Sequence, residues 1–309
     1  MNITDPIYSD ENKAREHLES IQWPNGPICP HCGNVDPTRI TKLEGKSTRP
    51  GVYKCKECRK PFSVTVGSVM ERSHIPLNKW LLAMHLMNAS KKGMSAHQLH
   101  RTLDIGYQSA WFMCHRIREA MRIKKFDTPL GGKFKTVEVD ETYIGGKATN
   151  RKSRKVKPKR AVVALVQRDG DVRSFPIKAV NSRTMGALLR KQVSKKVHLM
   201  TDDSNIYPKL GKKFNRHSTV NHSIEEYVRG DVYTNTVENY FSILKRGVIG
   251  TFHHISNQHL PMYLAEFDFR YNARGVSDTE RTEKAIRGAV GKRLLYRQPD
   301  TEKVVQTQS

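Results

Sequence analysis

Four of the five cysteines stand in two CxxC pairs, Cys29/Cys32 in "CPHC" and Cys55/Cys58 in "CKEC", with 22 residues between the pairs. No other feature narrows the local fold so far. In a reducing compartment, paired cysteines read as metal ligands rather than disulfides. Two knuckles at this separation converge on one tetrahedral Zn²⁺, and four thiolates leave no position open, so the zinc is structural. Residues 22–66 are rich in Cys, Pro and Gly, as a small metal-stapled module requires. His31 lies inside the first knuckle and is not needed as a ligand. Cys114 stands alone and reads as filler on a helix face.

Charge decides the partner. The chain carries 54 Lys+Arg against 30 Asp+Glu over 309 residues, a formal net charge of +24. That excess is far beyond what solubility needs and predicts a polyanionic partner, nucleic acid first among them. An anionic membrane is the rival. No apolar run approaches the roughly 18 residues of a spanning helix, and "MNITDPIYSDENK" lacks the pattern of a signal peptide. The expected setting is cytoplasmic and nucleoid-associated, with no membrane partner.

Along the chain, residues 1–21 read as a polar lead-in with a helix near its end. Residues 76–122 have helical spacing, and "SAHQLHRTLDIGYQSAWFMCHRIREAM" forms two helices around a turn at Asp104–Gly106. Such a pair suggests helix-turn-helix, whose second helix would offer Arg116 and Arg118 to DNA. From about Lys133 the period becomes that of strands: "KTVEVDETYIGG", then "AVVALVQ" and "VRSFPIKAV" around a hairpin turn at Asp169-Gly170. A helix opened by Asn181 or Ser182 follows, then the strand "KVHLMTDD". Two further helices cover "YTNTVENYFSILKRG" and "NQHLPMYLAEFDFRYNAR". Residues 276–309 hold a last helix and a disordered tail. Between the first two strands, Lys147 to Arg160 has eight basic residues in fourteen and no acid. Lys152, Arg154, Lys155 and Lys157 therefore read as phosphate contacts.

The strand "VEVDETY" places Glu138 and Asp140 on one face and Val137 and Val139 on the other. An Asp near the end of an apolar strand is costly unless solvated, paired or metal-bound. A second strand repeats the arrangement in Asp202 and Asp203, and Glu238 follows after a gap of 35 residues. Hard divalent cations take oxygen ligands, so these carboxylates suit Mg²⁺ or Mn²⁺. A two-metal site activates the attacking oxygen and stabilises the leaving one. Asn235 and Glu238 also fit a capping box, with Asn235 as N-cap.

The order of these motifs resembles the DDE transposases of bacterial insertion sequences, in the branch with an N-terminal zinc ribbon. The matching stretches are "CPHCG", "YKCKECRKPFSVTVGSVME", "VEVDETYIGGK", "TDDSNIY", "YTNTVENYFSILKRGVIGTFHHIS" and "HLPMYLAEFDFRYNAR". The resemblance implies an α/β, RNase H-like mixed sheet with flanking helices over residues 133–275, behind the zinc ribbon and the helix-turn-helix-like region. It implies metal-dependent cutting at element ends and joining of the 3′-hydroxyls to target DNA, by a homo-oligomer on double-stranded DNA. Carried over, Asp140, Asp202 and Glu238 hold Mg²⁺ or Mn²⁺, with Asn235 capping and orienting. In this branch the asparagine has also been taken as the third signature residue. Lys245, seven after Glu238, and the adjacent Arg246 fall where such enzymes hold terminal DNA phosphates. Thr234 stands where a related pattern has Arg. The other functions open to this sequence are a zinc-ribbon, helix-turn-helix regulator and an RNase H-fold nuclease without strand transfer.

Overall fold

The computed structural model describes residues 3–145, 159–220 and 228–296. The chain divides into two compact units, and it passes between them more than once. The first unit comprises Met1–Ala89, Ser95–Met121 and Ser277–Ser309; the second comprises Ser90–Met94 and Arg122–Val276.

The first unit opens with α1 (Glu11–Gln22), whose N-cap Asp10 accepts from the backbone N–H groups of Asn12 and Lys13. Ala14, Leu18 and Ile21 recur at helical spacing and form its buried stripe. Three short strands, β1 (Ile40–Lys42), β2 (Tyr53–Cys55) and β3 (Pro61–Phe62), make an antiparallel sheet in that order. Its small core joins Cys29, Ile40, Cys55 and Phe62 to Trp23 and Tyr53. A core this small needs a staple. Three helices follow: α2 (Leu77–Ala89), α3 (Ala96–Leu103) and α4 (Tyr107–Met121). Ser95 caps α3, and Asp104 ends it in the left-handed region at φ 48°. The two helices thus flank the turn expected at Asp104–Gly106.

The second unit is built on β4 (Thr136–Ile144), β5 (Arg160–Gln167) and β6 (Val172–Ile177), then α5 (Ser182–Gln192), β7 (His198–Asp202), the single turn α6 (Pro208–Gly211) and β8 (Arg216–Val220). The hairpin β9 (Val228–Arg229) and β10 (Val232–Tyr233) leads into α7 (Asn235–Gly247), a π-helical turn over Val248–Phe252, and α8 (Leu260–Asn272). Sheet order is β6-β5-β4-β7-β8. The β4–β5 and β5–β6 pairs are antiparallel, while β4–β7 and β7–β8 are parallel. This is the RNase H-like mixed sheet. The turn between β5 and β6 closes with the Gly170 N–H donating to the Gln167 carbonyl at 3.0 Å, and Asp169 takes φ 54°. Asn181 opens α5 in a capping box with Thr184.

Each face of the sheet has its own core. Val137, Val139, Leu165 and Leu199 pack with Met185 and Leu189 of α5. Val162, Ala164 and Val166 pack with Val237, Tyr240, Phe241 and Leu244 of α7 and with Leu264 and Phe267 of α8. The alternation along β4 therefore turns Val137 and Val139 toward α5 and leaves Glu138 and Asp140 on the α7 side. After α8 the chain returns to the first unit as α9 (Asp278–Arg287), opened by a Ser277/Glu280 capping box.

Two glycines near the end of α7 test the packing. A Cβ on Gly247 would lie 2.7 Å from the Lys92 carbonyl oxygen and 2.4 Å from Phe267 Cζ, whereas one on Gly250 meets nothing within 4 Å. Gly247→Ala is expected to destabilise the protein by about 1–3 kcal/mol through overpacking. Gly250→Ala is expected to leave the thermal midpoint nearly unchanged. Equal midpoints in thermal melts would refute this packing.

Candidate active site

Parallel pairing of β4 with β7 brings two aspartates level. The register sets Glu138 opposite Met200, and two residues further along both strands stand Asp140 and Asp202. Asp140 accepts a hydrogen bond from the Glu141 N–H at 2.7 Å, and Asp202 accepts one from the Ser204 N–H at 3.3 Å. Glu238 comes from the first turn of α7, where its carboxylate accepts from the hydroxyl of the buried Thr234 at 2.9 Å. Burial pushes the Asp140 carboxyl up to about 7, and the negative charges of Glu141, Asp202 and Glu238 push the same way, against the Glu141 N–H. Two carboxylates distant in sequence, Asp202 and Glu238, thus act on Asp140.

Glu141 adds a fourth acid. Its side chain turns to the other face of β4 and accepts from the hydroxyl of the buried Tyr207 at 2.5 Å. Burial raises its pKa, and the charge of Asp202 adds to the rise, although the Tyr207 hydroxyl opposes both.

A cavity of about 740 Å³ opens on this edge of the second unit. Its acidic wall is Asp140, Glu141 and Glu238; its basic wall is Lys92, Lys245 and Arg246; Ile249 is an apolar neighbour, 72% exposed. Asp202 and Asn235 lie outside this lining. Lys245 and Arg246 occupy the last turn of α7, and both are exposed. Lys92 has no counterpart among the sequence expectations. It enters through Ser90–Met94, a short excursion of the chain into the second unit, and "KK" in a loop carries no signal of its own.

Two expectations need correction, and a third falls outside the described residues. Asn235 is not the N-cap of α7: it is the first helical residue and exposed, Thr234 holds the cap position, and no side-chain cap bond forms there. The cap comes from the sheet instead, because Glu138 accepts from the N–H groups of Thr236 and Val237. Arg116 and Arg118 do not face outward on a recognition helix; they are 7% and 2% exposed. The α4 helix is enclosed along most of its length, and Arg116 donates to the Glu71 carbonyl and stacks over the rings of Trp80 and Phe112. What α4 exposes is its first turn, Tyr107, Gln108 and Ser109. The expected phosphate contacts Lys152, Arg154, Lys155 and Lys157 lie outside the described residues.

The cysteines of the first unit fit a metal closely. Cys29 Sγ is 3.6 Å from Cys58 Sγ and Cys32 Sγ is 3.7 Å from Cys55 Sγ. All four sulfur atoms lie within 4.8 Å of one another. Zn–S bonds of about 2.3 Å in a tetrahedron put sulfurs about 3.8 Å apart, whereas a disulfide would bring a pair to about 2.05 Å. No helix among the described residues is long and apolar enough to cross a membrane.

Comparison with known proteins matches two segments of the chain. Residues 9–61 match the transposase zinc-ribbon domain, and residues 129–272 match the ISXO2-like transposase domain. An uncharacterized protein in transposable element ISH50 of Halobacterium salinarum is 27% identical over 281 residues, covering 85% of this chain and 91% of its own. A crystal structure of a pre-cleavage Mos1 transpososome aligns over 92% of this chain and 93% of its own, at 12% identity and a TM-score of 0.18. Carrying a transposase zinc ribbon ahead of an ISXO2-like transposase domain, the chain belongs to the insertion-sequence transposases.

Proposed function

We propose that this transposase binds the ends of its insertion sequence, cuts them, and joins the freed 3′-hydroxyls to target DNA. The observation that carries the proposal is the convergence of Asp140, Asp202 and Glu238 beside a wall of Lys92, Lys245 and Arg246. Acids alone would repel DNA, and bases alone would bind it without reacting.

The donor set suits a hard divalent cation. It offers only carboxylate oxygens, and their mutual repulsion favours neutralising charge at Asp140. Asp140, Asp202 and Glu238 would hold Mg²⁺ or Mn²⁺, which when bound supplies activation of the attacking oxygen and stabilisation of the leaving oxygen. The protein's own groups do the positioning. Thr234 orients Glu238, and Tyr207 orients Glu141. Lys92, Lys245 and Arg246 hold phosphates of the element end against the acids. Cleavage adds water across a P–O3′ bond and leaves a 3′-hydroxyl. Joining forms a new 3′-O–P bond as a target P–O3′ bond breaks, so bonds balance without an outside energy source.

The other parts serve recognition. The zinc ribbon, holding one structural Zn²⁺, and the exposed first turn of α4 would contact the element ends, since recognition helices read base edges from their N-terminal residues. Lys152, Arg154, Lys155 and Lys157 would add phosphate contacts. A homo-oligomer on DNA would pair two ends, working in the cytoplasm at the nucleoid.

Glu238→Gln keeps the size of the side chain and removes its charge. Cleavage and joining of element-end DNA should fall by roughly two orders of magnitude or more, with melting temperature and end binding kept. Asn235→Ala should remain largely active, because Asn235 neither caps α7 nor lines the cavity. A dead but folded Asn235→Ala beside an active Glu238→Gln would reverse the assignment. Nicking without joining in the wild type would make the chain a nuclease, and end binding with neither activity would make it a regulator.

Cys55→Ser should lose the zinc and weaken binding to element ends. Elemental analysis of protein purified without chelator should find about one zinc per chain, from the four-thiolate count; finding none would end the zinc assignment.

Replacing Lys152, Arg154, Lys155 and Lys157 with Gln should weaken binding to all DNA alike and flatten the log–log salt slope by roughly 0.9 for each phosphate no longer neutralised. Weakening confined to the element end would mean that these residues read bases instead.

A further inference from the structure

Glu138 is fully buried, yet it is a carboxylate near the middle of a sheet. Burying a charge costs several kcal/mol unless every lone pair is met. Here all are met. Oε1 accepts from Arg168 Nε at 2.6 Å and from the Thr236 hydroxyl at 2.9 Å. Oε2 accepts from the N–H groups of Thr236 at 2.9 Å and Val237 at 3.0 Å. Four donors saturate a carboxylate.

The donors come from distant parts of the second unit. Thr236 and Val237 supply two of the N–H groups that the first turn of any helix leaves without intrahelical partners, at the positive end of the helix dipole. Arg168 stands in the turn between β5 and β6, and its other nitrogens donate to the Asp231 and Tyr233 carbonyls, each at 2.7 Å. Its guanidinium also lies 3.5 Å from the Tyr233 ring centroid. Arg168 thus fixes the chain just before α7, while Glu138 fixes the start of α7 itself.

The spacing on both sides gives this contact its consequence. Asp140 is two residues beyond Glu138 on the same face of β4. Glu238 is one residue beyond Val237. A single carboxylate therefore sets how far apart those two acids stand. We propose that Glu138, held by Arg168, is a positioning residue that sets the Asp140–Glu238 separation for divalent-metal binding. The inference rests on the reading that these two carboxylates hold the metal. An apolar residue at 138 would fill the sheet and often stabilises as well as a buried ion pair does, but it would place neither the helix start nor Glu238.

The test uses the full-length protein. Direct Mn²⁺ binding by calorimetry, with the zinc ribbon loaded, is measured beside the Mn²⁺ half-saturation and maximal rate of end cleavage, end-DNA affinity, and melting temperature. Thr236→Val deletes one of the four donors; Thr236→Ser keeps it. Glu138→Gln turns an NH₂ toward groups that are themselves donors. Loss of an outer-sphere partner costs about 10–100-fold in metal affinity. Thr236→Val should therefore weaken Mn²⁺ binding about 10-fold with DNA affinity unchanged, Thr236→Ser should restore it, and Glu138→Gln should weaken it further. If Glu138→Gln does not fold, the Thr236 pair decides. Wild-type Mn²⁺ affinity in folded Thr236→Val overturns the positioning role, provided that Asp140→Asn abolishes binding. Mn²⁺ binding that Asp140→Asn leaves intact overturns the metal-site reading itself and the positioning role with it.

Discussion

A charged side chain enters the middle of a sheet only when the fold around it has been arranged to receive it. In the second unit that side chain is Glu138, and the arrangement is the start of α7. The parallel β4–β7 pair levels Asp140 with Asp202 through its backbone register. Nothing in that pairing dictates where α7 begins. Apolar burial of Val237, Tyr240, Phe241 and Leu244 seats the helix on the sheet, but apolar packing is non-directional and tolerates sliding. Hydrogen bonds to a buried carboxylate do not tolerate it, because each unmet lone pair or N–H would cost about 1–3 kcal/mol. The core holds α7 against the sheet, and Glu138 holds it in register.

That division explains where the acids stand. Asp140 sits midway along β4, Asp202 is the last residue of the neighbouring β7, and both are half-buried. Glu238 sits on a helix whose end is tied to the same strand. The three come close enough for Asp202 and Glu238 to raise the cost of ionising Asp140, whose carboxyl stands at about 7, with burial the larger cause. Such tension is a liability in a structural element, and it is what a site shaped for added positive charge would have. The Lys92, Lys245 and Arg246 wall supplies charge of the right sign, although long, exposed side chains are poorly suited to fix an ion pair and well suited to follow a phosphate backbone.

Much of this was legible in the sequence, for reasons that differ by element. The cysteine knuckles are local, and spacing alone places their sulfurs near one another. The strand β4 announces itself by alternation, β5 by its apolar run, and the β5–β6 hairpin by the Asp169-Gly170 turn. The acids of β4 and β7 stand out because carboxylates are rare in apolar strands. The failures share a cause as well. Asn235 reads as an N-cap because Asn followed by Glu three residues later is a local pattern, yet the capping group arrives from a strand nearly a hundred residues earlier. Arg116 and Arg118 look like a basic recognition face because sequence shows charge and not enclosure. In the fold Arg116 is spent on the Glu71 carbonyl and two aromatic rings. Lys92 is invisible because its position depends on a short passage of chain into the other unit.

Glu138 lies between these cases. Its alternation with Asp140 is plain in the sequence, and so is its placement in an apolar strand. A buried carboxylate implies a partner cation, and the strand order implies where to seek one: a basic residue in the turn that folds back beside the start of β4. Arg168 is that residue, and its backbone N–H also donates to the Thr136 carbonyl at 3.1 Å, which seats the turn against the strand. The same reasoning separates the two glutamates of "VEVDETY". Glu138, on the α7 face, is saturated by four donors and has no lone pair left for a metal. Glu141, on the opposite face and part of the cavity wall, takes a hydrogen bond from Tyr207 on one carboxylate oxygen, Oε2. Of the acids flanking Asp140, one is committed to holding the helix, and the other faces the space where the chemistry would occur.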